Sequence, residues 1–400
     1  MPATDCQGSS APFSIGRSIL SIKRNQIAAM EGNHDHDQEE LEHFQRQVTD
    51  RFLDLAASST DSSQGSSGGH ELLSLAWVSK VLDAFLCCEE EFKAVVLLTP
   101  RAHLSKPALD RLLSDFLERA VKALDVCNAV CDGAEMVHQW QRRACIASRA
   151  LGGGGPIGEA QLRRAKKALA DLGVAVAMAM AMEGGGAAAT AGAQRNRSFG
   201  RAGSSAPSPP TTHASQRSWS VPKSWSAARQ LQAMGANLTA PRAADAAATG
   251  GLAAPIYTIS TVLIVTTWTM VAAFPCQDRG PQGHLPTPSR QFSWALPITG
   301  IQDQVAEEWR KHKGVAGLLL ELGVVEKCGK RLTEMVEAAR VPLAEEREEE
   351  IRAEAEELGR ACNKLDEGLG PFQRQVREVF HRVVRSRAEL LEYLSRPSEQ

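Results

Sequence analysis

Apolar residues recur at intervals of three and four along most of this chain, which is the spacing of one face of an α-helix. The first such face is formed by Leu41, Phe44, Val48, Phe52 and Leu55. Similar faces follow through the first 180 residues, and they return in the last hundred. No window shows sustained alternation of apolar and polar residues with a period of two. The pattern therefore predicts an all-α fold, an elongated helical bundle.

A heptad-like seam marks the last part of the chain, with spacings of four and three. Its members are Ile351, Ala355, Leu358, Cys362, Leu365 and Leu369. The seam spans too few heptads for a free coiled coil, so we expect it to pack within the bundle. Gly370 and Pro371 predict the end of this helix, and a closing helix is expected after them.

Between the two helical parts, large apolar residues give way to Gly, Ala, Ser and Pro. Such a sequence cannot bury enough apolar surface to offset chain entropy, which predicts a long disordered insertion. The predicted organisation is a disordered tail with a short basic amphipathic piece over 1–38, an N-terminal helical region over 39–183, a disordered basic linker over 184–250, an apolar helix over 251–275, a loop over 276–299 and a C-terminal helical region over 300–396.

The segment from Leu252 to Ala273 contains no charged residue and is long enough to cross a bilayer, which needs about 20 residues. Six of its residues are Ser or Thr, however, and a span would separate helical faces that are natural partners for one another. A transmembrane helix and a buried bundle helix therefore both remain open. The residues that carry either interpretation are Leu252, Ile256, Ile259, Val262, Leu263, Ile264, Val265, Trp268 and Val271.

The formal net charge of −2 hides a basic linker, because residues 195–242 include seven Arg or Lys and no acid. This charge indicates contact with acidic lipid, with acidic protein or with the chain's own helices. Ser198 and Ser218 each follow an arginine and are candidate phosphorylation sites. Trp219 and Trp225 form a short repeat that suggests a docking segment. We expect no nucleic-acid partner, because the basic stretch is short and the whole chain is not basic.

Candidate catalytic chemistry is sparse. Cys127, Cys131, His138 and Cys145 occur in one predicted helix, which spreads them too far along its axis to surround a metal ion. The glycines at 152–155 lack the Gly-Lys-Ser/Thr ending of a phosphate loop. The first residues show no secretory signal, so we expect a reducing compartment and free thiols. The sequence thus predicts a protein that is not an enzyme and that has no catalytic residue, cofactor or metal.

Four strings together resemble the plant ROH/BYPASS-related family. They are Phe13–Gln26, Ser224–Gly235, Pro275–Gly280 and Arg290–Trp294, and the similarity extends from about Phe13 to Leu394. The resemblance implies a plant protein with a developmental or secretory role, with links to the exocyst tethering complex and to control of a root-derived signal. It also implies that the segment Ile256–Ala273 is commonly regarded as transmembrane. The family offers no catalytic residues to carry over.

Two functional hypotheses follow. The first is a non-enzymatic adaptor at the cytosolic face of a membrane, with protein partners such as an exocyst subunit and with acidic lipid as a second ligand. It would be membrane-associated, with a single span as one alternative, and otherwise cytosolic rather than secreted. The second is a regulator or enzyme of small-molecule signal metabolism, with a pocket in the bundle lined by Trp77, Trp140 or Trp309. The sequence does not indicate an oligomeric state.

Overall fold

A computed structural model describes residues 33–60, 72–99, 106–184, 226–276, 285–312 and 314–395. In these ranges every regular element is a helix, which confirms the all-α prediction. The helices are α1 (Asn33–Thr60), α2 (Leu75–Leu98), α3 (Pro107–Leu151), α4 (Glu159–Gly184), α5 (Ala227–Gly235), α6 (Ala243–Thr249), α7 (Ala253–Ala273), α8 (Ala295–Lys311), α9 (Leu320–Ala338) and α10 (Glu345–Ser395).

The two longest helices, α3 and α10, pack along each other and organise the bundle. Helix α10 also contacts α2 and α9, while α3 contacts α4, α5 and α7. All members of the heptad-like seam are buried in this arrangement, so the seam packs within the bundle. The N-terminal and C-terminal helical parts therefore share one hydrophobic core.

Helix α10 does not end at Gly370 and Pro371, which corrects the prediction of a break there. Proline in a helix interior removes one backbone hydrogen bond and costs about 3 kcal/mol. Buried side chains on both sides of it offset that cost. Leu369 and Phe372 lie in the core, and the Phe372 ring stacks on Phe274 with centroids 4.6 Å apart. Tertiary packing thus overrides the local signal.

The predicted disordered linker is wrong over residues 226–250, which form α5 and α6. The Ser226 hydroxyl caps α5 by accepting from the backbone N–H of Arg229 at 3.1 Å. Leu231 and Met234 are buried in the core, and the Arg119 guanidinium donates to the carbonyl of Met234 at 2.9 Å. These partners lie on the distant helix α3, so local composition could not reveal them. Residues 185–225 lie outside the described residues.

The predicted loop over 276–299 is also too long, because α8 already begins at Ala295. Pro297 and Gly300 in its first turns read as loop residues in the sequence. Ile298 and Ile301 are nevertheless buried, and they fix this turn against the bundle.

A polar contact also joins the N-terminal and C-terminal helical parts. The Glu321 carboxylate accepts from the backbone N–H of Leu75 at 3.1 Å, where α2 has unpaired donors. One residue away, the N–H of Leu320 donates to the carbonyl of Leu73 at 3.1 Å. Leu73 has a φ of 59°, a conformation that a leucine seldom adopts and that this contact holds in place. The entry into α2 is therefore fixed by α9.

Candidate functional site around an enclosed apolar helix

The apolar helix α7 lies inside the bundle. It packs mainly against α2 and α3, and also against α1, α5, α6 and α8. Within the described ranges it is the one helix whose length and composition would allow it to cross a membrane, and its most apolar stretch is buried throughout. Of the residues predicted here, Trp268 is half-buried and the other eight are buried. In this structure the segment is an interior helix.

The hydroxyl groups of α7 explain how so many Thr residues fit in an apolar interior. Four threonines donate to backbone carbonyls four residues earlier, at 2.8–2.9 Å, so that their polar atoms stay within the helix. They are Thr258, Thr261, Thr267 and Thr269. Ser260 and Thr266 are buried hydroxyls without a partner among the described residues. The helix therefore presents mainly methyl and methylene groups to its neighbours on every side.

An aromatic cluster fixes the first turns of α7. The rings of Tyr257, Phe292 and Trp294 lie 5.1–5.8 Å apart between centroids. The Gln45 amide oxygen accepts from the Trp294 indole N–H at 2.6 Å and lies 3.0 Å from the Thr258 hydroxyl, whose one proton it shares with the Ala254 carbonyl. One glutamine on α1 thus links α7 to α8. Sequence reasoning missed Gln45, because nothing in the polar face of α1 distinguishes it from its neighbours.

The last turn of α7 is held by the segment before α9. The N–H groups of Leu318 and Leu319 donate to the carbonyls of Ala272 and Ala273 at 3.0 and 3.1 Å. Gly317 approaches so closely that an added Cβ would lie 2.5 Å from the Ala273 carbonyl oxygen. These contacts satisfy carbonyls that a helix end leaves free. Both ends of α7 are therefore bonded to other parts of the chain.

The predicted modification and docking residues cannot be placed. Ser198, Ser218, Trp219 and Trp225 lie outside the described residues, as does the basic amphipathic piece near the N-terminus. The prediction that these serines are phosphorylated and that these tryptophans dock a partner remains a prediction.

The cysteines and histidine of α3 have separate environments. No group of three or more Cys, His, Asp or Glu in the described part of the chain could hold a metal ion. Cys127 is buried, and burial raises its pKa to about 12. His138 faces Asp366 on α10 at 3.4 Å. Cys145 instead lies near Cys362 on α10, because the Gln141 amide nitrogen is 3.3 Å from the Cys145 sulfur and 3.2 Å from the Cys362 carbonyl oxygen. Helical spacing within α3 could not show this pair.

Two of the tryptophans proposed to line a pocket lie in the core. Trp77 is fully buried and its indole N–H donates to the Leu55 carbonyl at 3.2 Å, while Trp140 is buried in the same core. A small cavity in the described part of the chain lies between α2, α3, α7 and α10, beside Glu89 and Arg387. Its volume of about 10 Å³ has room for about one water molecule. Burial raises the pKa of the Glu89 carboxyl there.

The whole chain matches known proteins. Residues 1–394 match the family model described as Protein ROH1-like. The chain belongs to the ROH1-like family. It is 44% identical to Protein ROH1D of Arabidopsis thaliana over 98% of both chains. It is 41% identical to Protein ROH1A of the same plant, over 98% of this chain and 97% of that protein. No solved structure matches.

Three of the strings that carry the ROH1-like resemblance meet around α7. The string ending at Gly235 forms α5, which packs on α3 and α7. Pro275 follows α7. A Cβ added to Gly133 would lie 2.5 Å from the Pro275 carbonyl oxygen. Phe292 and Trp294 belong to the aromatic cluster. The described residues of these three strings therefore lie around the enclosed helix.

Proposed function

We propose that this ROH1-like protein is a non-enzymatic helical adaptor in plant development or secretion, acting at the cytosolic face of a membrane. The observation that carries the proposal is the enclosure of α7 in a core shared by the N-terminal and C-terminal helices. Because that core needs both parts on one side of a membrane, the enclosure supports a peripheral protein over a spanning one. Membrane affinity then has to come from the surface.

The basic linker is the proposed source of that affinity. Each Lys or Arg near an anionic bilayer contributes about 1 kcal/mol, and residues 195–242 carry seven with no acid. Phosphates at Ser198 and Ser218 would reduce this positive charge and weaken the contact. Trp219 and Trp225 would dock a protein partner. An exocyst subunit is the partner class we propose, on the strength of the resemblance to the ROH/BYPASS-related family.

The folded surface offers a second kind of contact, because two helix starts expose charges of opposite sign. The start of α10 exposes four glutamates, at 345, 346, 349 and 350, whereas the start of α4 exposes Arg163, Arg164, Lys166 and Lys167. Patches of opposite sign can favour different partners for an adaptor.

Extraction and protease protection test the membrane side of the proposal. The full chain would carry a tag at each end and be expressed in plant cells. We expect carbonate to release it from membranes and protease to remove both tags from intact vesicles. Resistance to carbonate together with protection of one tag would show that α7 spans the membrane and would overturn the peripheral adaptor.

A pair of charge variants tests the linker. Changing Arg195, Arg197, Arg201 and Arg217 to Gln should lower sedimentation with anionic vesicles by at least about tenfold. Changing Arg163, Arg164, Lys166 and Lys167 to Gln removes the same charge from α4, and we expect a smaller loss. Equal losses would contradict a specific role of the linker.

Capture of a tethering subunit tests the partner. Affinity purification from plant membranes should recover exocyst subunits with the normal chain, and less of them with Trp219→Ala and Trp225→Ala combined. Recovery that is unaffected by the tryptophan change would remove the docking role from these residues. Absence of every tethering or trafficking protein would count against the adaptor itself.

A further inference from the structure

Two cysteine thiols that are far apart in sequence meet where α3 crosses α10. Cys145 on α3 and Cys362 on α10 lie close enough for a side-chain interaction that shifts the pKa of both thiols. The Gln141 amide nitrogen lies over the pair, 3.3 Å from the Cys145 sulfur and 3.2 Å from the Cys362 carbonyl oxygen, and it can donate to both. The pair therefore belongs to an organised polar contact within the seam.

Small residues let the two helix backbones approach closely beside this pair. The Ser148 hydroxyl donates directly to the Ala355 backbone carbonyl at 2.7 Å. A Cβ added to Gly359 would lie 2.7 Å from the same hydroxyl oxygen. A disulfide requires Cα atoms about 4.4–6.8 Å apart, which only closely packed helices provide. The crossing has the small side chains that such an approach needs.

The two thiols differ in how readily they lose a proton. The hydrogen bond from Cys362 and the nearby charge of Arg149 lower the pKa of Cys145, against the opposing effects of burial and Asp366. The pKa of Cys362 is raised, first by that hydrogen bond and then by burial. Cys145 is half-buried, whereas Cys362 is buried. Cys145 is therefore the thiol nearer to solvent and the one that loses its proton more readily.

We propose that Cys145 and Cys362 form an oxidisable dithiol site whose substrate is hydrogen peroxide. The Cys145 thiolate attacks one peroxide oxygen, the O–O bond breaks, and the other oxygen leaves as hydroxide and takes up a proton to become water. Cys145 is then a sulfenic acid. The Cys362 sulfur attacks the Cys145 sulfur as its own proton is lost, the S–O bond breaks, and a second water leaves. The peroxide is reduced and the two thiols become a disulfide.

This disulfide would join two helices whose cysteines are separated by 217 positions, since 362 − 145 = 217. A cross-link that closes so long a loop restricts the unfolded chain strongly. It would also prevent α3 and α10 from separating. Oxidation would therefore stabilise the bundle seam against unfolding.

The test uses the full chain, purified in reduced form and treated with a small excess of hydrogen peroxide. Mass spectrometry of peptides prepared without reductant should show a Cys145–Cys362 cross-link, and the melting temperature should rise by several degrees. Cys131 offers a matched control, because it is a half-buried thiol on the same helix whose pKa is raised by burial. We expect Cys145 to react with peroxide roughly threefold or more faster than Cys131.

Three variants make the outcome decisive. Cys131→Ser should still form the cross-link, and Cys145→Ser should abolish it. Cys362→Ser should leave Cys145 as a sulfenic acid that dimedone traps, because the serine hydroxyl can still donate a hydrogen bond to the Cys145 sulfur. The proposal is overturned if Cys145 reacts no faster than Cys131, if Cys145 links to another cysteine such as Cys328, or if peroxide gives no cross-link in the folded chain.

Discussion

Helix α7 and the second half of α4 each contain an apolar stretch without charge, yet the two stretches differ in how far they are buried. Helix α7 carries Ile, Val, Leu and Thr on every side and is enclosed by six other helices. Residues 174–181 of α4 alternate Ala with Val or Met, and only part of their surface packs on the core. Val174 and Met178 are 59% and 64% exposed. Absence of charge therefore does not determine burial; bulky side chains all round the helix do, because they require partners on all sides.

An aspartate placed on each stretch in turn gives the largest expected difference in stability between them. Val262→Asp puts a carboxylate at a fully buried position of α7, where no counter-charge is available among its apolar neighbours. We expect it to lower the free energy of unfolding by about 4 kcal/mol or more. Urea denaturation followed by circular dichroism measures the loss.

Met178→Asp is the matched change on α4. Because the Met178 side chain is mostly exposed, the aspartate remains hydrated, and we expect an effect within about 0.5 kcal/mol. Similar losses in the two variants would show that the α4 stretch is as enclosed as α7. A tolerated Val262→Asp would mean that α7 leaves the bundle.

Sequence patterns could predict the helices and the shared core, because large apolar residues at helical spacing are a local signal. Phe44, Val48 and Phe52 are buried as that spacing requires. The location of α7 could not be decided in the same way, because a transmembrane helix and an interior helix have the same composition. What separates them is the set of neighbours, and several of these are distant in sequence.

The helices and contacts that were missed depend on distant partners. Leu231 and Met234 are among few large apolar residues in their part of the sequence, which therefore indicates disorder. The helix that covers them, α3, lies about a hundred residues earlier. Cys362 was visible only as a seam position, and Cys145 only as one of several cysteines on a helix. A single sequence shows spacing along one helix. It does not show which face of α3 meets which face of α10.

A pair of glycine-to-alanine changes, one beside each stretch, should give a stability difference of intermediate size. Gly133 on α3 faces the end of α7, and a Cβ there would lie 2.5 Å from the backbone oxygen of Pro275. Backbone cannot rotate away as a side chain can, so we expect Gly133→Ala to destabilise the protein by about 2 kcal/mol.

Gly173, at the start of the exposed stretch of α4, has nothing within 4 Å of an added Cβ. Alanine there should stabilise the helix by about 0.5–1 kcal/mol through its better helix propensity. Thermal unfolding of the two variants should therefore give shifts of opposite sign. A stabilising Gly133→Ala would place the end of α7 further from α3 than the structure has it.

The smallest expected difference between paired variants concerns two adjacent threonines of α7, and it tests how an interior helix accommodates hydroxyl groups. The Thr267 hydroxyl donates to the Leu263 carbonyl at 2.8 Å, whereas the Thr266 hydroxyl is buried without a partner among the described residues. Valine has nearly the same shape without the hydroxyl. Thr266→Val should stabilise the protein by about 1 kcal/mol, because it removes an unsatisfied buried group. Thr267→Val should cost about 0.5–1 kcal/mol, because it removes a hydrogen bond that is already made. Urea midpoints that move in the same direction for both variants would show that the two hydroxyls have equivalent surroundings. That result would contradict the enclosure of α7.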